Sequence, residues 1–181
     1  MLVELSLFTL GAITFPSVFR LVSSRLYMVR DDYCRLDISV KIVSAIQAIV
    51  CVLFGMITMH YTKDDIVFTR FYLLDCYIYF WIPYFYYDAW ALYQAFLVSK
   101  GEKFRESTTK ERVKRFFRKK WLMMIHHLVL PPIYGPSILL FRQGKGDYLI
   151  GCAFLMEATI PFISVRNILL RAIYKLLFLK V

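Results

Sequence analysis

The hydrophobic positions of this chain gather into runs long enough to cross a lipid bilayer. A helix needs about 18 or more mostly apolar residues to span a hydrocarbon core of roughly 30 Å. Five runs meet that length, at approximately 2–19, 38–61, 71–98, 121–141 and 147–165. A sixth apolar piece, about 168–181, is marginal in length. The pattern therefore predicts an all-α, polytopic membrane helix bundle of about five to six transmembrane helices. The first run does not read as a signal peptide, because it carries Glu4 and is followed, not preceded, by Arg20.

Composition agrees with the pattern. Of the 181 residues, 59 % are hydrophobic and 20 % charged. The mean hydropathy is +0.55. So short a soluble chain has too little interior for that much apolar surface. Cys34, Cys51, Cys76 and Cys152 form no CxxC pair, which excludes a disulfide framework and a cysteine zinc site.

The net charge of +10 becomes informative once it is mapped onto the loops. In the five-span arrangement, 19 of the 23 basic residues fall on one side. They lie after span one, in the 99–120 loop and in the tail. Lys63, Arg70, Arg142 and Lys145 remain on the other side. Cytoplasmic loops are the ones enriched in Lys and Arg. The expected topology has a lumenal N-terminus and a cytosolic tail.

The 99–120 loop carries ten basic and three acidic residues. It reads either as a topology determinant near anionic lipid or as a docking surface for a polyanion such as the nucleotide part of coenzyme A. Lys114, Arg115, Arg118, Lys119 and Lys120 are the candidate contacts. No base-reading module surrounds it, so nucleic acid is not an expected partner.

Polar groups inside the spans are the candidates for chemistry. A central charge costs roughly 2.5–3.5 kcal/mol on the insertion scale, so such residues face the bundle interior and mark function. They are Asp88, His126, His127 and Glu157, with Gln47 as a neutral companion. At 1.5 Å per residue they fall about 8–15 Å from the basic face, which suggests one polar layer. Adjacent histidines point about 100° apart, so both border one cavity only if it straddles the helix. Their readings are packed, hydrogen-bonded rings or proton transfer and acyl capture, with a carboxylate orienting the ring. HxxxH and HxxH are absent, and His60 sits at the far end of span two, so no metal is expected. GxSxG is absent too, and the glycines around Gly144 lack P-loop spacing.

Span three is dense in aromatic residues through its middle, either for packing or to line a lipid-chain cavity. Pro83 should kink it by removing the bond to the Tyr79 carbonyl. Pro131, Pro132, Gly135 and Pro136 should break span four more heavily.

Four blocks carry a resemblance. Ile125-His126-His127-Leu128-Val129-Leu130 resembles the double-histidine signature of the TLC domain, a family named after TRAM, Lag and CLN proteins. Residues 141–169, with their RQGKGD turn, look like the TLC domain-containing protein 3 subgroup. KIVSAIQAIV (41–50) and IPYFYYDAWALY (82–93) are similar to that subgroup. The resemblance covers about 40–170. It implies a multi-span protein of the endoplasmic reticulum, with Golgi or plasma membrane as further possibilities.

It also implies ceramide synthase chemistry, in which acyl-CoA acylates the amine of a sphingoid base. That would make the protein an acyl-CoA-dependent sphingosine N-acyltransferase. Carried over by position, His126 and His127 are the catalytic pair and Glu157 the acid on the next span. Asp88 joins as a second orienting carboxylate. Ceramide synthases carry a His-Asp and a further Asp, whereas this chain has Glu157 alone on that next span. The family continues for further spans, so residues 38–181 are expected to form a partial TLC domain after an N-terminal span and cytosolic loop, 1–37. Acyl-CoA is the implied co-substrate, with no permanently bound cofactor. Membrane lipid, the sphingoid base and a homo- or hetero-dimer with related TLC proteins are the implied partners. The rival reading is a non-catalytic TLC protein that binds lipid and regulates membrane lipid homeostasis. A channel ranks last, because the polar residues form a layer and not a stripe along a span.

Overall fold

The computed structural model describes residues 2–178, all helix and loop with no strand among them. The helices are α1 (Leu2–Arg25), α2 (Asp32–Thr62), α3 (Tyr72–Ser99), α4 (Glu102–Arg105), α5 (Thr109–Pro136), α6 (Asp147–Phe154) and α7 (Thr159–Phe178). Among the described residues four stretches are long and apolar enough to cross a membrane: Leu2–Arg25, Asp32–Thr62, Thr109–Phe141 and Asp147–Arg171. The fold class is therefore a polytopic helical membrane protein. At 28 residues α3 is about 42 Å long. It is not one of the four, because its many tyrosines, Asp75, Asp88 and Gln94 lower the hydropathy of every stretch long enough to span. Packing explains this composition, because α3 is flanked by α1 and α5 and buries much of its surface against them.

The chain forms two compact units. The first holds residues 1–40 and 72–144, with α3 at its centre. On one side α1 comes so close at Gly11 that a side chain there would collide with the Phe80 carbonyl. Below that point Phe15 meets Phe80 and Tyr84 at ring distances of 5.3 Å, and Phe19 meets Tyr87 and Trp90 at 5.9 Å. Higher numbers on α1 meet higher numbers on α3, so these two helices run parallel. On its other side α3 packs antiparallel to α5. That interface runs from the Asp75–Arg142 ion pair (2.6 Å), through Ile82 against Gly135, to Phe96 against Phe116. Ala89, Phe96, Phe116 and Met124 form its apolar core.

The second unit holds residues 41–71 and 145–181. A Cβ built on Gly55 of α2 would lie 2.7 Å from the Gly151 carbonyl oxygen of α6. One on Gly151 would lie 2.9 Å from the Gly55 oxygen. The two backbones touch because neither residue has a side chain, the usual device for close helix contact in lipid. Asp147 is fully buried at the start of α6, and its Oδ2 accepts the Phe71 N–H at 2.6 Å. The Gly146 N–H donates to the Val67 carbonyl at 2.7 Å beside it. Together they tie the 63–71 connection to α6.

Three sequence expectations need correction. The 99–120 segment is mostly helical, not a loop. Thr108 caps α5 by accepting the Glu111 N–H, and α5 then continues through the basic residues. Span four is not broken at its prolines. The backbone departs from helical angles at Lys120 (φ −122°, ψ 25°), and the prolines lie inside α5. Beyond Pro136 the turn widens, with the Arg142 N–H bonding to Ser137 five residues back. The sixth apolar piece is not a separate element, because α7 continues without a stop to Phe178; residues 179–181 lie outside the described residues. Between α6 and α7 the chain tightens to a 3-10 turn at Leu155–Ala158. Pro161 accounts for it, since it has no N–H for the Glu157 carbonyl four residues back.

Candidate functional site

The two histidines follow each other on α5 and so face different surroundings. His127 points at α3 and is 6 % exposed. Its Nε2 lies 3.4 Å from Oδ2 of Asp88, which is 4 % exposed. Phe85 and Tyr84 enclose the ring at centroid distances of 5.7 and 6.5 Å. A carboxylate in a span is tolerable only where it faces protein and finds a partner, and Asp88 does both. The sequence places Pro131 and Pro132 one turn after these residues. They have no N–H for the carbonyls of His127 and Leu128, yet the backbone stays helical at the pair.

His126 lies on the exposed side of α5, with its ring 5.2 Å from that of His127 and 5.8 Å from that of Phe85. It lines an open hollow of about 440 Å³ with Lys119, Lys120, Trp121, Leu122 and Met123. The pair thus divides into one sealed ring beside a carboxylate and one accessible ring.

A second hollow, about 580 Å³, lies at the basic end of the α3–α5 interface. Phe96, Lys100, Arg115, Arg118 and Lys119 line it. The ammonium groups of Lys100 and Lys119 stand 5.9 and 6.0 Å from the Phe96 ring centroid. Arg115 is bonded to Glu111 (2.5 Å) and lies over Phe104. Lys119 borders both hollows, so the basic one adjoins the one that holds His126. Of the five basic residues expected to bind the co-substrate, Arg115, Arg118 and Lys119 line the basic hollow. Lys120 lines the His126 hollow, and Lys114 is exposed on α5.

The sequence reading missed Lys100 and Phe96. Their signal was available, because Lys100 ends the aromatic helix at the level where the basic run begins. Glu157 and Gln47 belong to the second unit. Glu157 is half-buried in the 3-10 turn, and Gln47 is buried on α2. Among the described residues no group of three or more His, Cys, Asp or Glu side chains is placed to hold a metal ion.

Long apolar helices carrying a buried carboxylate–histidine pair define a multi-pass membrane protein with an internal polar site. The TLC domain model of the TRAM, LAG1 and CLN8 proteins matches residues 37–180, and the chain belongs to that family. No solved structure matches it. Family membership gives the protein a role connected with membrane lipid.

Proposed function

We propose that the protein is an acyl-CoA-dependent N-acyltransferase of the ceramide synthase type, acting on a sphingoid base. The observation that carries this reading is the sharing of Lys119 between the basic hollow and the hollow that holds His126. Phosphates of coenzyme A bound by Lys100, Arg115, Arg118 and Lys119 would leave the thioester end near His126.

The chemistry needs one base. An imidazole takes a proton from the sphingoid ammonium, and the freed amine attacks the thioester carbonyl. The imidazolium gives that first proton to water; as the C–N bond forms the ring takes one of the two protons left on the nitrogen, the C–S bond breaks, and the departing thiolate receives this second proton, so that the amide, the free thiol and one proton in water result. His126 is the accessible ring for this step. His127, held by Asp88, fixes the α5 turn that presents it. Transient acyl capture on His126 is the covalent variant of the same scheme.

The double histidine and the three sequence blocks that resemble the TLC domain-containing protein 3 subgroup are the support for the sphingolipid assignment. The asymmetry of basic residues supports a cytosolic basic face with a lumenal N-terminus, and the resemblance supports the endoplasmic reticulum. A homo- or hetero-dimer with other TLC proteins belongs to the same proposal.

The test is an acyltransferase assay of the full chain in lipid nanodiscs, with acyl-CoA, a sphingoid base, and the variants His126→Ala and His127→Ala. Ceramide-type product from the wild type and its loss in His126→Ala support the mechanism. Unchanged turnover in both variants removes it. Absence of product from the wild type, with lipid still co-purifying, favours the non-catalytic lipid-binding role.

A further inference from the structure

A groove runs along the outside of the α1–α3 interface, about 470 Å³ in volume. One wall is Phe8, Ala12 and Pro16, ending in Arg20. These residues are four apart and so form a single ridge on α1, about 18 Å long at 1.5 Å per residue. The other wall is Pro83, Tyr86, Tyr87 and Trp90 of α3. Gly11, Phe15 and Phe19 occupy the adjacent face of α1 and hold the two helices together, so the groove lies beside a fixed interface.

Its chemistry is graded along its length. The walls are apolar up to the last turn of the α1 ridge, where Arg20 and the Trp90 indole stand at the same end of two parallel helices. Arg20 is exposed, and no acid among the described residues pairs with it. Arg25 and Arg30 follow on the same side of the sequence. Arg20 directly follows the apolar run of α1, and a long basic side chain at the end of such a run extends to the headgroup level of a membrane. An apolar trough that ends in an unpaired guanidinium at that level complements a molecule with an apolar chain and a negatively charged head.

We infer that this groove is a binding site for an anionic phospholipid, with an acyl chain along Phe8–Pro16 and the phosphate at Arg20. The α1 wall falls outside residues 37–180, the part of the chain that matches the TLC domain. The site is distinct from the hollows on α5 and does not depend on acyl transfer. It would make the first unit sensitive to the acidic lipid content of the leaflet on its basic side.

The test reads the groove directly through Trp90, one of the three tryptophans of the chain. Trp81→Phe and Trp121→Phe leave Trp90 as the lone indole. The full-length protein is reconstituted into vesicles containing brominated phosphatidylglycerol or brominated phosphatidylcholine, and quenching is followed. The expected result is half-quenching at a mole fraction about fivefold lower for the anionic lipid, the factor that corresponds to the ~1 kcal/mol attraction of one interfacial basic residue.

Arg20→Gln should bring the two lipids to parity. Ala12→Phe, which fills the trough from an exposed position, should weaken quenching by both. Arg25→Gln, outside the groove, should leave the preference intact. Equal quenching by both lipids in the parent protein overturns the proposal. So does a preference that survives Arg20→Gln, or one lost equally in Arg25→Gln. Unaltered helicity by circular dichroism qualifies each variant; should Ala12→Phe fail to fold, Arg20→Gln decides alone.

Discussion

His127 of α5 and Asp88 of α3 meet at 3.4 Å in the interior of the first unit, each almost completely shielded from its surroundings. Removing one member of such a pair takes a polar partner from a buried group, which costs about 1–3 kcal/mol. Asp88→Ala and His127→Ala should each lower the thermal unfolding midpoint of the detergent-solubilised protein markedly. The double variant should lose less than the sum of the two, by about 0.5–3 kcal/mol. Strict additivity in that cycle would show that the two side chains do not interact.

The neighbouring ring should behave in the opposite way. His126 is exposed, and among the described residues no carboxylate stands to it as Asp88 stands to His127. His126→Ala should leave stability within about 0.5 kcal/mol of the parent. Under the proposed mechanism it should lower turnover by roughly 10²-fold or more, the contribution typical of a positioned acid–base group. Unfolding curves and initial rates measured on the same preparation separate the two effects.

Contact between Gly55 and Gly151 leaves no room for even a methyl group without movement of a backbone. Gly151→Val should therefore destabilise the second unit by overpacking, by about 1–3 kcal/mol. Gly101→Val is the comparison, since nothing lies within 4 Å of its Cβ position and only its φ of +77° is strained. Hydrogen exchange along α2 and α6 should rise in the first variant and stay at the parent level in the second.

Asp147 holds the Phe71 N–H at the start of α6 without any exposure to solvent. Asp147→Ala should cost about 1–3 kcal/mol, because a buried donor loses its acceptor. Asp147→Asn keeps a carbonyl oxygen in place and should cost less. Limited proteolysis of the 63–71 connection checks this, with faster cleavage expected in the alanine variant.

The linear pattern by itself determined the long helices, the all-α membrane class and the basic asymmetry. Each follows from transfer free energy summed over contiguous residues, which needs no partner. It also located Asp88, His126 and His127, because a polar group amid apolar ones is costly wherever the helix turns.

Which groups meet was decided only in three dimensions. The sequence named two acids for the imidazoles, and the fold set Asp88 beside His127 because α3 runs antiparallel to α5 in this register. It also turned one histidine inward and the other outward. Lys100 joined Arg118, and Gly55 met Gly151, through helix packing that no local spacing encodes. The predicted break at Pro131–Pro136 did not occur, and the distortion fell at Lys120 and after Pro136 instead. A missing N–H weakens a turn, but packing against neighbouring helices determines where the backbone yields.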